Sequence, residues 1–262
     1  YTTLFRSYDF FLYGTAAALI FNKIFFPAFD PITGTLAAFA TYSVGFFARP
    51  LGGFVFGHFG DKLGRKSMLL ITLFLMGIPT ILIGLIPSYD SIGYWAAVLL
   101  VLMRFLQGVA VGGEWGGAVL MAVEHAPDGK KGFFGSLPQT GVAPGLILSS
   151  LAMGAVASLP EEDMLSWGWR LPFLASVALL LVGWWIRAKV AESPDFEQMS
   201  KKGKQVAIPA LEVLRHYPRE VLLVVGGRLA EVTWFYTVVP FALAYATTTL
   251  GVERRVMLNA TV

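Results

Sequence analysis

Gly57-His58-Phe59-Gly60-Asp61-Lys62-Leu63-Gly64-Arg65-Lys66 is a compact charged stretch set between two long apolar runs, Leu36 to Phe59 and Met68 to Ile86. At ~1.5 Å of rise per residue, each run is long enough as a helix to cross a hydrocarbon core of roughly 30 Å. The charged residues between them must then lie in water. Gly57, Gly60 and Gly64 allow close helix approach and a sharp turn, and Asp61 can bond helix-end amides.

Composition agrees with a membrane solvent. The 262 residues are 56% hydrophobic and 14% charged, with a mean hydropathy of +0.65, more apolar surface than a water-soluble domain of this size can cover. The net charge of +3 does not mark a nucleic-acid partner, because Lys and Arg sit in short clusters at the ends of apolar runs, as topogenic charges do. Without cysteine there is no disulfide, thiolate metal site or cysteine nucleophile.

Apolar runs punctuated by Pro, Gly and charge predict an all-α integral membrane protein with helices near 8–26, 36–59, 68–86, 92–123, 132–158, 171–187 and 221–248. Connections alternate in charge. One side gathers Lys62, Arg65, Lys66, Lys130, Lys131, Arg187, Lys189, Lys201, Lys202, Lys204, Arg215 and Arg219; the other has Lys23, Arg170, Arg254 and Arg255. This asymmetry places the 57–66 loop and the polar stretch 188–220 in the cytoplasm, in a multi-pass protein of the plasma (inner) membrane. Residues 1–7 resemble the read-through of a sequencing-library adapter and are set apart. The remaining units are a six-helix bundle over 8–187 with its first helix truncated, a connector over 188–220, and from 221–262 the start of a second bundle, cut within helix 8. The chain thus reads as a fragment of a longer protein.

The loop fills every position of G-x-x-x-D-(R/K)-x-G-R-(R/K), through Gly57, Asp61, Lys62, Gly64, Arg65 and Lys66, and so resembles the signature between helices 2 and 3 of the major facilitator superfamily. Five further stretches sharpen the likeness: Tyr8 to Gly14 (YDFFLYG), Phe47 to Gly52 (FARPLG), Arg104 to Gly108 (RFLQG), Gly112 to Gly117 (GGEWGG) and Trp167 to Phe173 (WGWRLPF). In this order they resemble the metabolite:proton symporter family. The resemblance implies two six-helix halves joined by a connector, a small-molecule solute and a proton as partners, no cofactor or metal, and a monomer at full length. It also implies that Gly57, Gly60, Asp61, Lys62, Gly64, Arg65 and Lys66 form a gate latch between the halves. The implied function is proton-coupled symport of a small organic acid or a zwitterion such as proline or betaine; with Glu114 at the membrane end, the excess of Arg49, Arg104 and Arg228 over Asp9 and Glu231 points to the acid, dicarboxylate or shikimate-like. The alternative of another class is an uncoupled channel or structural membrane protein.

Charges within or near the apolar runs are the candidate site, since an ionised side chain there costs at least ~2.5–3.5 kcal/mol. These are Asp9, Arg49, Arg104, Glu114, Arg228 and Glu231. Gln107 and Glu114, seven apart, share a helix face with Arg104 nearby, and Asp9 and Tyr13, four apart, make a matching stripe on helix 1. Asp9 or Glu114 would carry the proton, with Arg49 and Arg104 holding that carboxylate or an anionic substrate; alternatively Glu114 pairs locally and Arg49 bonds backbone carbonyls. Arg228 and Glu231, three apart, can pair on their own helix or face the cavity. Trp115 is the tryptophan placed in the cavity, whereas most of Trp95, Trp167, Trp169, Trp184 and Trp185, near the ends of apolar runs, read as interfacial anchors. Neither G-x-S-x-G nor H-E-x-x-H occurs, and His58, His125 and His216 do not converge, which argues against an enzyme.

Overall fold

In hydrocarbon each backbone N–H and C=O has to be satisfied within its own segment, so spanning runs of this composition become helices. A computed structural model of the protein describes residues 2–189, 192, 209–253 and 256–257. The chain divides into two units, residues 1–204 and 205–262.

The first unit contains α1 (Thr2–Leu19), α2 (Phe21–Phe25), α3 (Pro31–Leu63), α4 (Arg65–Leu85), α5 (Tyr89–Ile92), α6 (Tyr94–Glu124), α7 (Lys131–Thr140), α8 (Val142–Ala157), α9 (Glu161–Asp163), a π-helical turn at Met164–Gly168 and α10 (Arg170–Lys189). The second contains α11 (Pro209–His216), α12 (Pro218–Tyr236), a π-helical stretch at Thr237–Phe241 and α13 (Ala242–Thr248). No strand occurs among the described residues. Among the described residues four stretches are long and apolar enough to cross a membrane: Arg65–Leu85, Tyr94–Glu124, Lys131–Ala157 and Arg170–Lys189.

Small residues decide how the first unit packs. Helix α3 lies along α6, α4 along both α6 and α10, and α1 along α8. A Cβ built on Gly52 would stand 1.9 Å from the Val109 carbonyl oxygen, one on Gly108 2.3 Å from that of Gly45, and one on Gly112 2.0 Å from that of Arg49. Helices α3 and α6 therefore touch backbone to backbone, which only glycine permits. Gly145 does the same for α1 and α8, its Cβ position falling 2.6 Å from Ser7 Cβ.

Several boundaries differ from the sequence reading. Helix α1 begins at Thr2 and buries Phe5 and Ser7, so residues ahead of the expected start at Tyr8 are helical. The loop expected over 57–66 is in fact one residue long. Nothing between Gly57 and Leu63 stops a helix, and α3 runs on until Gly64, whose φ of 98° is a conformation that glycine adopts without strain. Among the described residues Gly57 and Gly60 do not serve close approach: a Cβ on Gly57 meets nothing within 4 Å, and one on Gly60 meets only Met68 Cγ, at 3.7 Å. Helix α4 then starts with its amides answered by a carboxylate, as Arg65 and Lys66 N–H each donate to Glu192 Oε1 at 3.1 Å.

Both ends of the helices on the opposite side are also capped. Arg170 donates to the carbonyls of Gly84 and Ile86, at 2.9 and 2.7 Å, closing the end of α4. Trp169, expected at an interface, is fully buried against Phe21, Phe25 and Phe173. Asp30 caps α3, its Oδ1 accepting from the Ile32 and Thr33 N–H groups, each at 3.1 Å. Hydrogen bonding by Thr33, side chain first and then backbone, holds the Asp30 carboxyl below its ordinary value. A lowered folded-state pKa gives stability that is present above the unfolded value and disappears as pH falls through the folded one. Asp30→Ala is therefore expected to lower Tm at neutral pH and to flatten the acid limb of the Tm-against-pH curve; parallel curves for the two proteins would contradict this.

In the second unit, Arg228 and Glu231 form an ion pair on the exposed surface of α12. Most of the connector, including Lys201, Lys202 and Lys204, lies outside the described residues, as do Arg254 and Arg255.

Candidate functional site

Asp9 is the centre of the polar cluster inside the first unit. It sits mid-way along α1 and is 1% exposed. Its Oδ1 accepts from Thr80 Oγ1 on α4 at 2.6 Å and from Gln107 Nε2 on α6 at 2.9 Å. Arg104, one turn before Gln107, bonds Gln107 Oε1 through Nη1 at 3.1 Å, and the same nitrogen lies 3.9 Å from Asp9 Oδ2. The carboxylate is thus fully answered on one oxygen, whereas Oδ2 has a cation near it but no hydrogen-bond partner among the described residues. An incompletely answered buried carboxylate is a poised group, because protonation costs it little contact and frees the cation beside it.

The cation is held by rings. The Arg104 guanidinium lies 4.3 Å from the Tyr13 ring centroid, 4.7 Å from that of Tyr42 and 5.5 Å from that of Phe10. Tyr13 is fixed in turn by Thr41 Oγ1, 2.6 Å from its hydroxyl. Space for the guanidinium comes from Gly45, where a Cβ would meet Arg104 Nε at 3.0 Å. Arg49 stacks in the same way, 4.2 Å from the Phe46 centroid and 5.2 Å from that of Phe10.

Asp9, Tyr13, Arg104 and Gln107 are therefore brought together, with Arg49 sharing the Phe10 ring. Glu114 is not among them. It pairs with Arg187 on α10 at 2.7 Å, both side chains being buried. Arg187, counted from sequence among the loop charges, is 3% exposed; its position at the end of an apolar run, two residues before Lys189, gave no signal that separated it from a surface charge. Trp115 is 43% exposed. Arg228 and Glu231 belong to the other unit. Arg65 pairs with Glu124 and Lys66 Nζ donates to the Ala188 carbonyl at 2.9 Å; the side chains of Asp61 and Lys62 lie outside the described set.

Thr80, Thr41, Tyr42 and the Phe10 and Phe46 rings were not picked from sequence. Thr80 carried a weak signal, a hydroxyl beside Pro79 within an apolar run, but threonine also satisfies itself on its own helix, as here to Met76 O at 2.9 Å. Among the described residues no three His, Asp or Glu gather as a metal would require.

A family model described as sugar (and other) transporter matches residues 2–220. The chain is 50% identical over 255 residues to the shikimate transporter of Escherichia coli K12, covering 96% of this chain and 58% of that protein. It is 43% identical to the inner membrane metabolite transport protein YhjE of the same organism, covering 94% and 56%, and 38% identical to its proline/betaine transporter, covering 91% and 49%. The chain thus spans about half the length of these curated relatives. Among solved structures, the inward-open xylose transporter XylE from E. coli superposes with a TM-score of 0.72 at 17% identity, covering 99% of this chain and 63% of that one. These relatives are named as transporters and not as enzymes, and the shared fold is all-helical. The chain belongs to the sugar and other transporter family of the major facilitator superfamily.

Proposed function

We propose that the parent protein is a secondary active transporter that couples entry of a proton to entry of a small organic acid by alternating access. The observation that carries this reading is the Asp9 carboxylate, buried between two hydrogen-bond donors on one oxygen and the Arg104 cation on the other. When Asp9 takes the proton, Arg104 loses its counter-charge and a substrate carboxylate can replace it. Proton and substrate then favour each other, which is the coupling that symport needs. Gln107 and Tyr13 position the pair, and Arg49 adds a second cation. Glu114, Trp115, Arg228 and Glu231 stay in the proposed set for substrate binding or proton coupling.

An acid is favoured over a quaternary ammonium because the ring faces of Phe10, Tyr13, Tyr42 and Phe46 already hold the protein's own guanidinium groups. A betaine would need such faces vacant. The 50% identical relative is named for shikimate; the 38% identical one, named for proline and betaine, keeps the zwitterion as the second reading. In the proposed cycle the residues from Gly57 to Lys66 act as the inner latch, facing the cytoplasm, in a monomer surrounded by lipid.

Uptake by the full-length protein in proteoliposomes tests this. Labelled shikimate, dicarboxylates and betaine are offered with and without an inward proton gradient. Accumulation of an acid only with the gradient is the expected result. Accumulation of betaine alone would move the assignment to the second reading, and equilibration independent of the gradient would overturn coupling and leave a uniporter or channel.

A further inference from the structure

We infer that the signature-loop end of the first unit holds a second binding site, for an oxyanion carried on a short apolar body. Helices α4, α6, α7 and α10 line there an open cavity of about 490 Å³ whose walls include Lys66, His125 and Arg187 together with Leu69, Met121 and Leu137.

Three observations give the cavity its chemistry. Arg187 spends Nη2 on Glu114 at 2.7 Å, but its Nε and Nη1 are buried with no hydrogen-bond partner among the described residues. Buried guanidinium donors are costly to leave unanswered, so they mark a place for an acceptor. Lys66 spends one of its three donors on the Ala188 carbonyl. Among the described residues no carboxylate forms an ion pair with its ammonium: Glu192 accepts from the amides that begin α4, and Glu124 pairs with Arg65. His125 directs Nδ1 at the Met121 carbonyl, 2.9 Å away, so with that nitrogen donating, Nε2 is the one left to meet a ligand.

The rest of the wall is apolar. A bare inorganic anion would satisfy the guanidinium and ammonium groups but leave that surface in contact with water, whereas a head with an attached aliphatic body covers both. Two sources offer this chemistry: the headgroup and upper chain of an anionic phospholipid in the adjacent leaflet, and a free aliphatic acid from the aqueous phase. The site is separate from the Asp9–Arg104 cluster and its occupancy does not depend on proton coupling.

The test uses the full-length transporter in uncharged detergent. Binding of dihexanoyl phosphatidylglycerol, dihexanoyl phosphatidylcholine, hexanoate and inorganic phosphate is followed by calorimetry and by the rise in Tm that a native-state ligand produces. Phosphatidylglycerol is expected to bind and phosphatidylcholine not. Its affinity should fall about tenfold or more in two variants. Glu114→Gln/Arg187→Gln removes both charges together, which avoids stranding one of them. Ala122 also lines the cavity, and Ala122→Phe fills its apolar part and leaves every charge in place, so it decides the matter if the double variant does not fold. Phosphatidylglycerol binding better than hexanoate identifies lipid as the occupant, and the reverse identifies a free acid; either outcome upholds the site. Equal binding of the two phospholipids, or undiminished phosphatidylglycerol affinity in Ala122→Phe, would overturn it.

Discussion

Asp9→Asn in the full-length protein is expected to abolish gradient-driven accumulation while leaving exchange of labelled for unlabelled solute intact. Asparagine keeps the shape of the carboxyl and can still accept from Thr80 and Gln107, which now meet Asp9 Oδ1 at 2.6 and 2.9 Å. It carries no charge, so Arg104 is permanently released and the solute can bind without a proton. For symport of one proton with one monocarboxylate, a gradient of about two pH units supports an accumulation ratio of about 100, and the variant should bring this to about one. Exchange needs only binding and reorientation and should continue. Wild-type accumulation by Asp9→Asn would remove Asp9 from the coupling step, and loss of exchange as well would make its role structural.

The second large effect concerns the contact of α3 with α6. A Cβ on Gly112 would lie 2.0 Å from the Arg49 carbonyl oxygen and 2.9 Å from the Gly53 nitrogen. Both are backbone atoms, so no rotamer change relieves the clash and the helices must separate. Overpacking of ordinary side chains costs ~1–3 kcal/mol; this contact should lie at or above the top of that range. Gly112→Ala is expected to lower Tm by several degrees and Gly112→Leu to yield no monodisperse protein by size-exclusion chromatography. Gly154→Ala is the control, since nothing among the described residues lies within 4 Å of its Cβ position, and in a helix interior the change gains up to ~1 kcal/mol of propensity. An unchanged Tm in Gly112→Ala would mean that the two backbones do not touch.

The helices were legible in the sequence because a hydrocarbon solvent leaves few alternatives, and run length alone located them to within a few residues. The end of α3 was misjudged because charge was taken as a stop, whereas a helix stops where a backbone angle changes, and here that is Gly64 alone. Within the site, Asp9, Arg104 and Gln107 were legible because a charge or amide in an apolar run has a cost that must be met. The identity of each partner was not. Thr80 lies 71 positions from Asp9 in the chain and Arg187 lies 73 from Glu114, and such meetings depend on which helices pack together. The rings around Arg104 were hidden for another reason: phenylalanine and tyrosine in a membrane helix are ordinary lipid- or core-facing residues, and nothing in the string marks those that hold a cation.

The enclosure of Arg104 by Tyr13, Tyr42 and Phe10 has an electrical consequence. A guanidinium does not release its proton in a protein, and here it is held in place by its rings, so within this cluster the charge can change only through Asp9 and the solute. In the proposed cycle, one proton entering with a monocarboxylate leaves the loaded and empty forms with the same charge, so a membrane potential does no net work over a full cycle. A zwitterion entering with one proton would carry a net positive charge, worth ~2.3 kcal/mol for each 100 mV. A potential imposed across the vesicle membrane at equal pH on both sides would thus drive uptake of a betaine and leave that of a shikimate-like acid unchanged.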